Sequence, residues 1–355
     1  MRNISPLHYR WPFPAKLFFY LLTIATLLAP IPFVFFKPGV PDNVAGKLIE
    51  IKEVKTYPVN GKLFITSILV TNPDSPVFGA ETIVNWAIGP HVVLPRESVY
   101  PTIEPAKVIN RTSRNEMETS KSTATAAALR YLGYQFTEFY FISDIRRYSD
   151  ALNKLKVGDI ITAIDGKPIK VIDEIRTSYA EKKIGESIEI TVERRISKEK
   201  TRTVTETVTL VKNQDIAAET GEIKPAIGIL VGTSAKFPID VDFNISGVGG
   251  PSAGMIFALG IIDKLTEEDL VRGRKIAGTG TITASGKVGG IGGIEEKMVG
   301  ASRIGATVFL APRENCPDIK HVPKGLKVIP VSTLAEAIEV LRAPDNFKYP
   351  RCSND

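Results

Sequence analysis

The chain is 355 residues long, 43% hydrophobic and 24% charged, a balance that excludes global disorder and allows two or three domains with buried cores. Its formal net charge of +6 is modest, and no Lys/Arg cluster is interleaved with aromatics, so the basic excess reads as solvated surface and no nucleic-acid partner is expected. Two cysteines, Cys316 and Cys352, without C-x-x-C spacing give a zinc or dithiol-redox site little support, and no cofactor or metal is expected.

The chain begins with residues 1–16, in which Arg2, Arg10 and Lys16 precede the uncharged stretch LFFYLLTIATLLAPIPFVFF, residues 17–36. Its length matches the roughly 20 residues a helix needs to cross a bilayer, which predicts one transmembrane helix, kinked at its outer end by Pro30 and Pro32. The run is long for a signal-peptide core and ends in Phe35, Phe36 and Lys37 without a small-residue cleavage site, so an uncleaved anchor is expected. Basic residues stay on the cytoplasmic side, which places the rest of the chain outside the cytoplasm. An oxidising compartment of that kind permits a Cys316–Cys352 bridge, against the alternative of two free thiols.

Residues 44–100 read as strands, because KLFITSILVTN and SPVFGAETIVNWAIG are rich in β-branched and aromatic residues and are separated by Pro/Asn/Gly turns. METSKSTATAAALRYLGY, residues 117–134, has Ala and Leu at helical spacing. Residues 135–213 form a compact unit. It runs from a strand FYFISDI through a short helix at YSDALNKL and the segment KVGDIITAIDGKPIK to a helical VIDEIRTSYAEK, and closes with the alternating runs ESIEITVERR and RTVTETVTLV. Gly158, Asp159, Asp165 and Gly166 in this unit carry turn chemistry and are not ligand-binding residues.

Ser252 lies in GVGGPSAGMIFALG, where the β-like FPIDVDFNIS gives way to a helical pattern. GPSAG matches the G-x-S-x-G nucleophile elbow of α/β-hydrolases, which would need His321 as its base and a run of alternating strands and helices that the chain lacks. A phosphate loop would need G-x-x-x-x-G-K-[ST], which does not occur, and GKVGGIGG has no Lys-Ser/Thr end. A third reading makes Ser252 a helix cap.

Two resemblances bear on these readings. LKVGDIITAIDGKPI, followed by a helix and a closing strand pair, resembles the PDZ pattern, which implies capture of an extended peptide, often a C-terminus, along a sheet edge. Its peptide loop would lie near YLGYQF, which departs from the usual glycine-rich form. GGPSAGMIFALGIIDKL, GTGTITASGKVGGIGGIEEK and GASRIGATVFLAPREN together resemble the proteolytic domain of the Lon protease family over roughly 100 residues. That resemblance implies Ser252 as nucleophile, Lys297 as general base and Thr279 as the residue that orients the lysine. Met117, Ser120 and Ala124 match the family's M-x-x-S-x-x-x-A helix, so the PDZ-like unit would be inserted into the protease domain. The chain departs from the pattern at Gly249, where an acidic residue is usual, and at Thr281, where a glutamate is usual.

The implied fold is α+β: residues 1–16 as a cytoplasmic N-terminus, 17–36 as the membrane helix, 40–134 and 214–343 as the two parts of a Lon-type protease domain, 135–213 as the inserted PDZ-like domain, and 344–355 as a tail. A serine hydroxyl attacks a peptide carbonyl only when a neighbouring base takes its proton, and a lysine serves if desolvation lowers its pKa. Lys297 is therefore expected to be buried and neutral among Ile294, Met298 and Val299, whereas Glu295 and Glu296 read as solvated first-turn residues and Lys287, in an SGK turn, as exposed. The expected activity is that of an ATP-independent serine endopeptidase, since no Walker motif is present, acting on extracytoplasmic proteins or peptides, with oligomerisation left open. The competing reading is a membrane-tethered PDZ adaptor whose protease-like domain is inactive.

Overall fold

The computed structural model describes residues 11–87, 91–100, 106–197, 200–214, 223–245, 247–344 and 348–352. Helix α1, Phe13–Leu28, starts behind Pro12 and has no buried residue. It stops because Pro30 forces the preceding Ala29 out of the helical region, to φ −66° and ψ 133°. The chain continues as β1 (Pro30–Ile31) and β2 (Phe33–Pro38), with Val34 and Phe35 only 2% and 1% exposed. The expected continuous helix over 17–36 is thus corrected: its second half is a buried strand. Among the described residues no helix is long and apolar enough to cross a membrane.

Next come β3 (Asp42–Asn43), β4 (Ile49–Lys52), β5 (Lys62–Ile65), β6 (Ile68–Val70) and β7 (Val77–Phe78). Residues Gly79–Ala87 are a helix, α2, where β-branched content suggested a strand; Ile83, Val84, Trp86 and Ala87 share one helical face. β8 (Val92–Pro95) and a single turn, α3 (Arg96–Val99), precede the long helix α4, Ala106–Tyr131, which starts upstream of the expected residue 117. β2 sits between β6 and β8 in a three-stranded sheet and packs against the helix that carries Lys297.

The PDZ-like unit comprises β9 (Thr137–Ile145), β10 (Ile160–Ile164), β11 (Lys167–Pro168), helix α5 (Ile172–Thr177), β12 (Ser187–Arg195) and β13 (Thr201–Thr209). Asp165 and Gly166, both at positive φ, form the β10–β11 hairpin turn. Asp159, 2% exposed, accepts from the Lys156 backbone N–H and pairs with Arg194, a buried charge that is fully partnered. Two short strands, β14 (Val211–Lys212) and β15 (Pro225–Ala226), lead to β16 (Ile229–Lys236). The sheet order β13-β12-β10-β9-β16 includes this last strand, which pairs with β9 along its length although it lies outside 135–213. Ile227 completes the same core with Ile142, Ile164, Ile188 and Ile190.

β17 (Asp240–Phe243) pairs with β4 and returns the chain to the protease-like part. Helix α6 (Gly254–Leu265) is its centre, followed by β18 (Lys275–Gly278), β19 (Thr281–Ile282), β20 (Val288–Gly289), helix α7 (Ile294–Arg303), β21 (Val308–Pro312), β22 (Lys327–Val331) and helix α8 (Leu334–Arg342). A five-stranded sheet of order β22-β21-β18-β5-β3 is parallel except for β3. Strand alternation sends Leu63, Ile65, Ile276 and Leu310 to one face, where α6, α4 and α8 pack, and Phe64, Ala277 and Phe309 to the other, against α7. Cys316 and Cys352 are bridged, Cα to Cα 5.0 Å, with Cys352 packed on the Phe309 side, while Tyr349 packs against the opposite core and its hydroxyl donates to the Val340 carbonyl.

Candidate active site

Three separate elements converge on Ser252. The serine ends the loop before α6, Thr279 follows β18, and Lys297 sits one turn into α7. Lys297 Nζ lies 2.8 Å from Ser252 Oγ and donates to Thr279 Oγ1 at 3.0 Å. Thr279 Oγ1 in turn donates to the Ser252 carbonyl at 3.0 Å, so the threonine ties the lysine head to the serine backbone. Ser252 is half-buried, whereas Thr279 and Lys297 are 0% and 2% exposed. Burial pushes the Lys297 amine down to about 7, because a charged ammonium loses its hydration among apolar groups such as Ile294 and Met298, both buried.

The loop around the serine is held on several sides. Gly250 N–H donates to the Ser113 carbonyl and Ser120 Oγ donates to the Pro251 carbonyl, both from α4. Gly280 N–H also donates to the Ser252 carbonyl, and Met255 N–H to the Gly280 carbonyl. A side chain at Gly254 would press on Ile282 at 2.8 Å and on Ser120 Oγ at 3.0 Å, which accounts for glycine there. The Ser252 hydroxyl is not a helix cap: α6 has Ala253 at its N-cap and no side-chain capping bond. The positive N-terminal end of α6 instead lies directly after the hydroxyl, suited to a developing negative charge.

Lysine placement depends on the glycine-rich segment before α7. Gly290 N–H donates to Glu314 Oε2, Ile291 N–H donates to Asn315 Oδ1, and Asn315 Nδ2 donates back to the Ile291 carbonyl. Gly293, at φ 69°, then starts α7. Glu314, Asn315 and Ser113 are not singled out by the sequence, since the first two only close the block GASRIGATVFLAPREN and the third acts through its backbone. Glu295 Oε1 accepts from the Lys320 and His321 backbone N–H groups. Glu296 is not solvated as expected but 3% exposed, with burial holding its carboxyl above the usual range. Lys287 is exposed, and the His321 side chain is 91% exposed, its Nδ1 3.7 Å from Glu295 Oε1. The structure therefore brings Ser252, Thr279 and Lys297 together, while the histidine that an α/β-hydrolase elbow needs points to solvent beside a different residue. The strand that follows YLGYQF is not an outer strand: β9 is paired with β16 along its length and with β10 at Tyr140 and Phe141, and the outermost strands of that sheet are β13 and β16.

Comparison with known proteins gives two family matches: residues 244–343 match the Lon protease (S16) C-terminal proteolytic domain and residues 141–209 match the PDZ domain. Lon protease 1 of Bacillus subtilis is 40% identical over 94 residues, 25% of this chain and 12% of that protein. Lon protease of Rhizobium meliloti is 36% identical over 110 residues, 29% of this chain and 13% of that protein. The chain thus spans only about an eighth of the length of these relatives. The PDZ domain of the SdrC-like protein from Listeria monocytogenes aligns at 22% identity and a TM-score of 0.22, covering 26% of this chain and 85% of that one. A Lon protease C-terminal proteolytic domain and a PDZ domain are both present, and the similarity implies a serine peptidase.

Proposed function

We propose that this protein is an ATP-independent serine endopeptidase that works through a Ser252–Lys297 dyad, is anchored to a membrane by α1, and cleaves proteins or peptides outside the cytoplasm. The observation that carries the reading is the 2.8 Å approach of Lys297 Nζ to Ser252 Oγ in a site dry enough to bring the amine to about 7. Neutral Nζ takes the proton of Oγ as Oγ bonds to the substrate carbonyl carbon, and the oxyanion forms beside the N-terminus of α6. Nζ then gives that proton to the leaving amine as the C–N bond breaks, leaving an acyl-serine. A water deprotonated by Nζ attacks the ester and restores the hydroxyl. Thr279 is the positioning residue, holding Nζ toward Oγ through its own bond to the serine carbonyl.

The PDZ domain serves recruitment. A peptide adding to the sheet would run along the free edge of β16, and the same chain continues through β17 to the loop that carries Ser252. Independence from nucleotide is supported by the absence of G-x-x-x-x-G-K-[ST] from all 355 residues, so substrates would be extended or loosely folded. Placement outside the cytoplasm is supported by the Cys316–Cys352 bridge and by basic residues ahead of α1. The test is hydrolysis of an unstructured peptide, together with labelling by a fluorophosphonate. Wild-type protein turns over and is labelled, whereas folded Ser252→Ala does neither and folded Lys297→Ala does not turn over. Binding of peptides by the wild type without cleavage or labelling would instead favour the inactive adaptor.

A further inference from the structure

Helix α2 is inside out. Its buried side chain is polar: Asn85 is 5% exposed, donates through Nδ2 to the Glu81 carbonyl at 2.8 Å and meets His91 Nδ1 with Oδ1 at 2.9 Å. Its outward face is apolar, with Ile83 58%, Val84 56% and Trp86 75% exposed. Glu81 shares the Asn85 side, four residues apart, so the outward face carries no charge. A helix facing water has the reverse arrangement.

What faces α2 follows from its neighbour. Gly79, the first residue of α2, is pressed so closely on α1 that a Cβ there would lie 2.2 Å from the Thr26 carbonyl oxygen, and its N–H donates to the Ala29 carbonyl. The β1–β7 ribbon ties the same two helix ends together. Beyond Lys16 in its first turn α1 carries no charged residue, it buries no side chain, and its Thr23 and Thr26 hydroxyls donate to the Phe19 and Leu22 carbonyls within the helix. An exposed helix that is uncharged from Leu17 to Leu28, with its threonine hydroxyls satisfied internally and its one lysine at the end where it can reach the interface, suits hydrocarbon and not a one-sided protein groove. α1 is about 24 Å long at 1.5 Å per residue, somewhat shorter than the roughly 30 Å hydrocarbon core.

We propose that α2 is a second membrane-contacting element, lying in the interfacial layer of the bilayer that receives α1, with Ile83 and Val84 among the upper acyl chains and Trp86 at headgroup level. This rests on the anchoring reading above. One helix would let the protease domain swivel about the β1 connection, whereas two contacts fix its orientation. Since β2 follows directly from β1 and packs on α7, that orientation extends to the helix bearing Lys297.

The test uses the full chain with Trp11→Phe, which leaves Trp86 as the sole tryptophan. The protein is reconstituted into phosphatidylcholine/phosphatidylglycerol vesicles containing lipids brominated on the upper acyl chain. Expected are co-flotation with vesicles, a blue-shifted Trp86 emission and at least about twofold quenching. Adding Ile83→Asp and Val84→Asp should abolish the quenching while flotation through α1 persists. Flotation with unquenched, water-like Trp86 emission would overturn this inference alone. A blue shift without bromolipid quenching would assign the face to a second copy or another protein and also overturn it. Failure to float would overturn the anchoring reading and this inference with it.

Discussion

Thr279 Oγ1 stands between the two partners of the dyad: it accepts from Lys297 Nζ at 3.0 Å and donates to the Ser252 carbonyl at 3.0 Å. Thr279→Val keeps the shape and removes both bonds. One hydrogen bond of about 1.5 kcal/mol in the transition state corresponds to roughly a tenfold rate change, so kcat should fall about tenfold or more while KM changes little. Thr279→Ser should recover most of the activity. Steady-state kinetics on an unstructured peptide checks this, and an unchanged kcat in Thr279→Val would remove the threonine from the proposed machinery.

Lys297 is also expected to cost stability. Moving its amine from about 10.5 to about 7 by burial implies a penalty on the order of 4–5 kcal/mol. Below pH 7 the amine is charged in both the folded and the unfolded chain, and the penalty is full. As pH rises from 7 toward 10.5 the folded form is neutral while the unfolded form still binds the proton, so stability increases. Lys297→Met should therefore stabilise the fold near pH 7 by about 1–3 kcal/mol after the lost hydrogen bonds are counted, which raises the urea midpoint, and the gain should shrink toward pH 10. Urea titrations of both proteins at several pH values measure this. A destabilised variant at pH 7 would mean that the lysine is not buried as a strained base.

The Cys316–Cys352 bridge closes a loop with a sequence separation of 36, worth about 3–4 kcal/mol in the chain-entropy account. Reductant, or Cys352→Ser, should lower the denaturation midpoint and make residues 348–352 accessible to protease. Peptide turnover per folded molecule should remain, because no dyad residue is bonded to the bridge. Equal midpoints with and without reductant would contradict a stabilising role.

Excision of the PDZ-like unit must respect its sheet. β16 pairs with β9 over eight residues of its own, so removing 135–213 strands β16, whereas removing 134–236 and joining Gly133 to Phe237 takes the whole sheet. The longer excision should fold and cleave small peptides at close to the wild-type rate while losing protein substrates. The shorter one should aggregate. Soluble expression and the two assays decide, and equal cleavage of proteins by the longer excision would deny the unit a recruiting role.

Much of the candidate site was legible because its residues are local: the Ser252 loop, Thr279 and the Lys297 helix each sit in a small-residue block that leaves few alternatives. What stayed illegible depends on distant pairing. The Ile229–Lys236 run becomes part of the PDZ-like sheet only through its match with Thr137–Ile145. Phe33–Phe36 reads as a continuation of the apolar helix because a strand buried on both faces and a membrane helix have the same hydropathy. Pro30 and Pro32 marked the break, and their effect on the residue before each proline was the stronger signal. The α2 segment was rich in β-branched residues, but its helical face shows only when Ile83, Val84, Trp86 and Ala87 are grouped by rotation. Ser113 holds Gly250 by a backbone carbonyl, which no side-chain pattern reports.

The central claim is that a neutral Lys297 activates Ser252, and kcat/KM against pH for an unstructured peptide tests it most directly. A lysine base works only when unprotonated, so activity should be low below the amine pKa and rise with pH through a single midpoint near 7. The midpoint should be unchanged in His321→Ala, whose side chain is exposed beside Glu295. A profile that is flat from about pH 5.5 to 9, or a limb that vanishes in His321→Ala, would contradict the account.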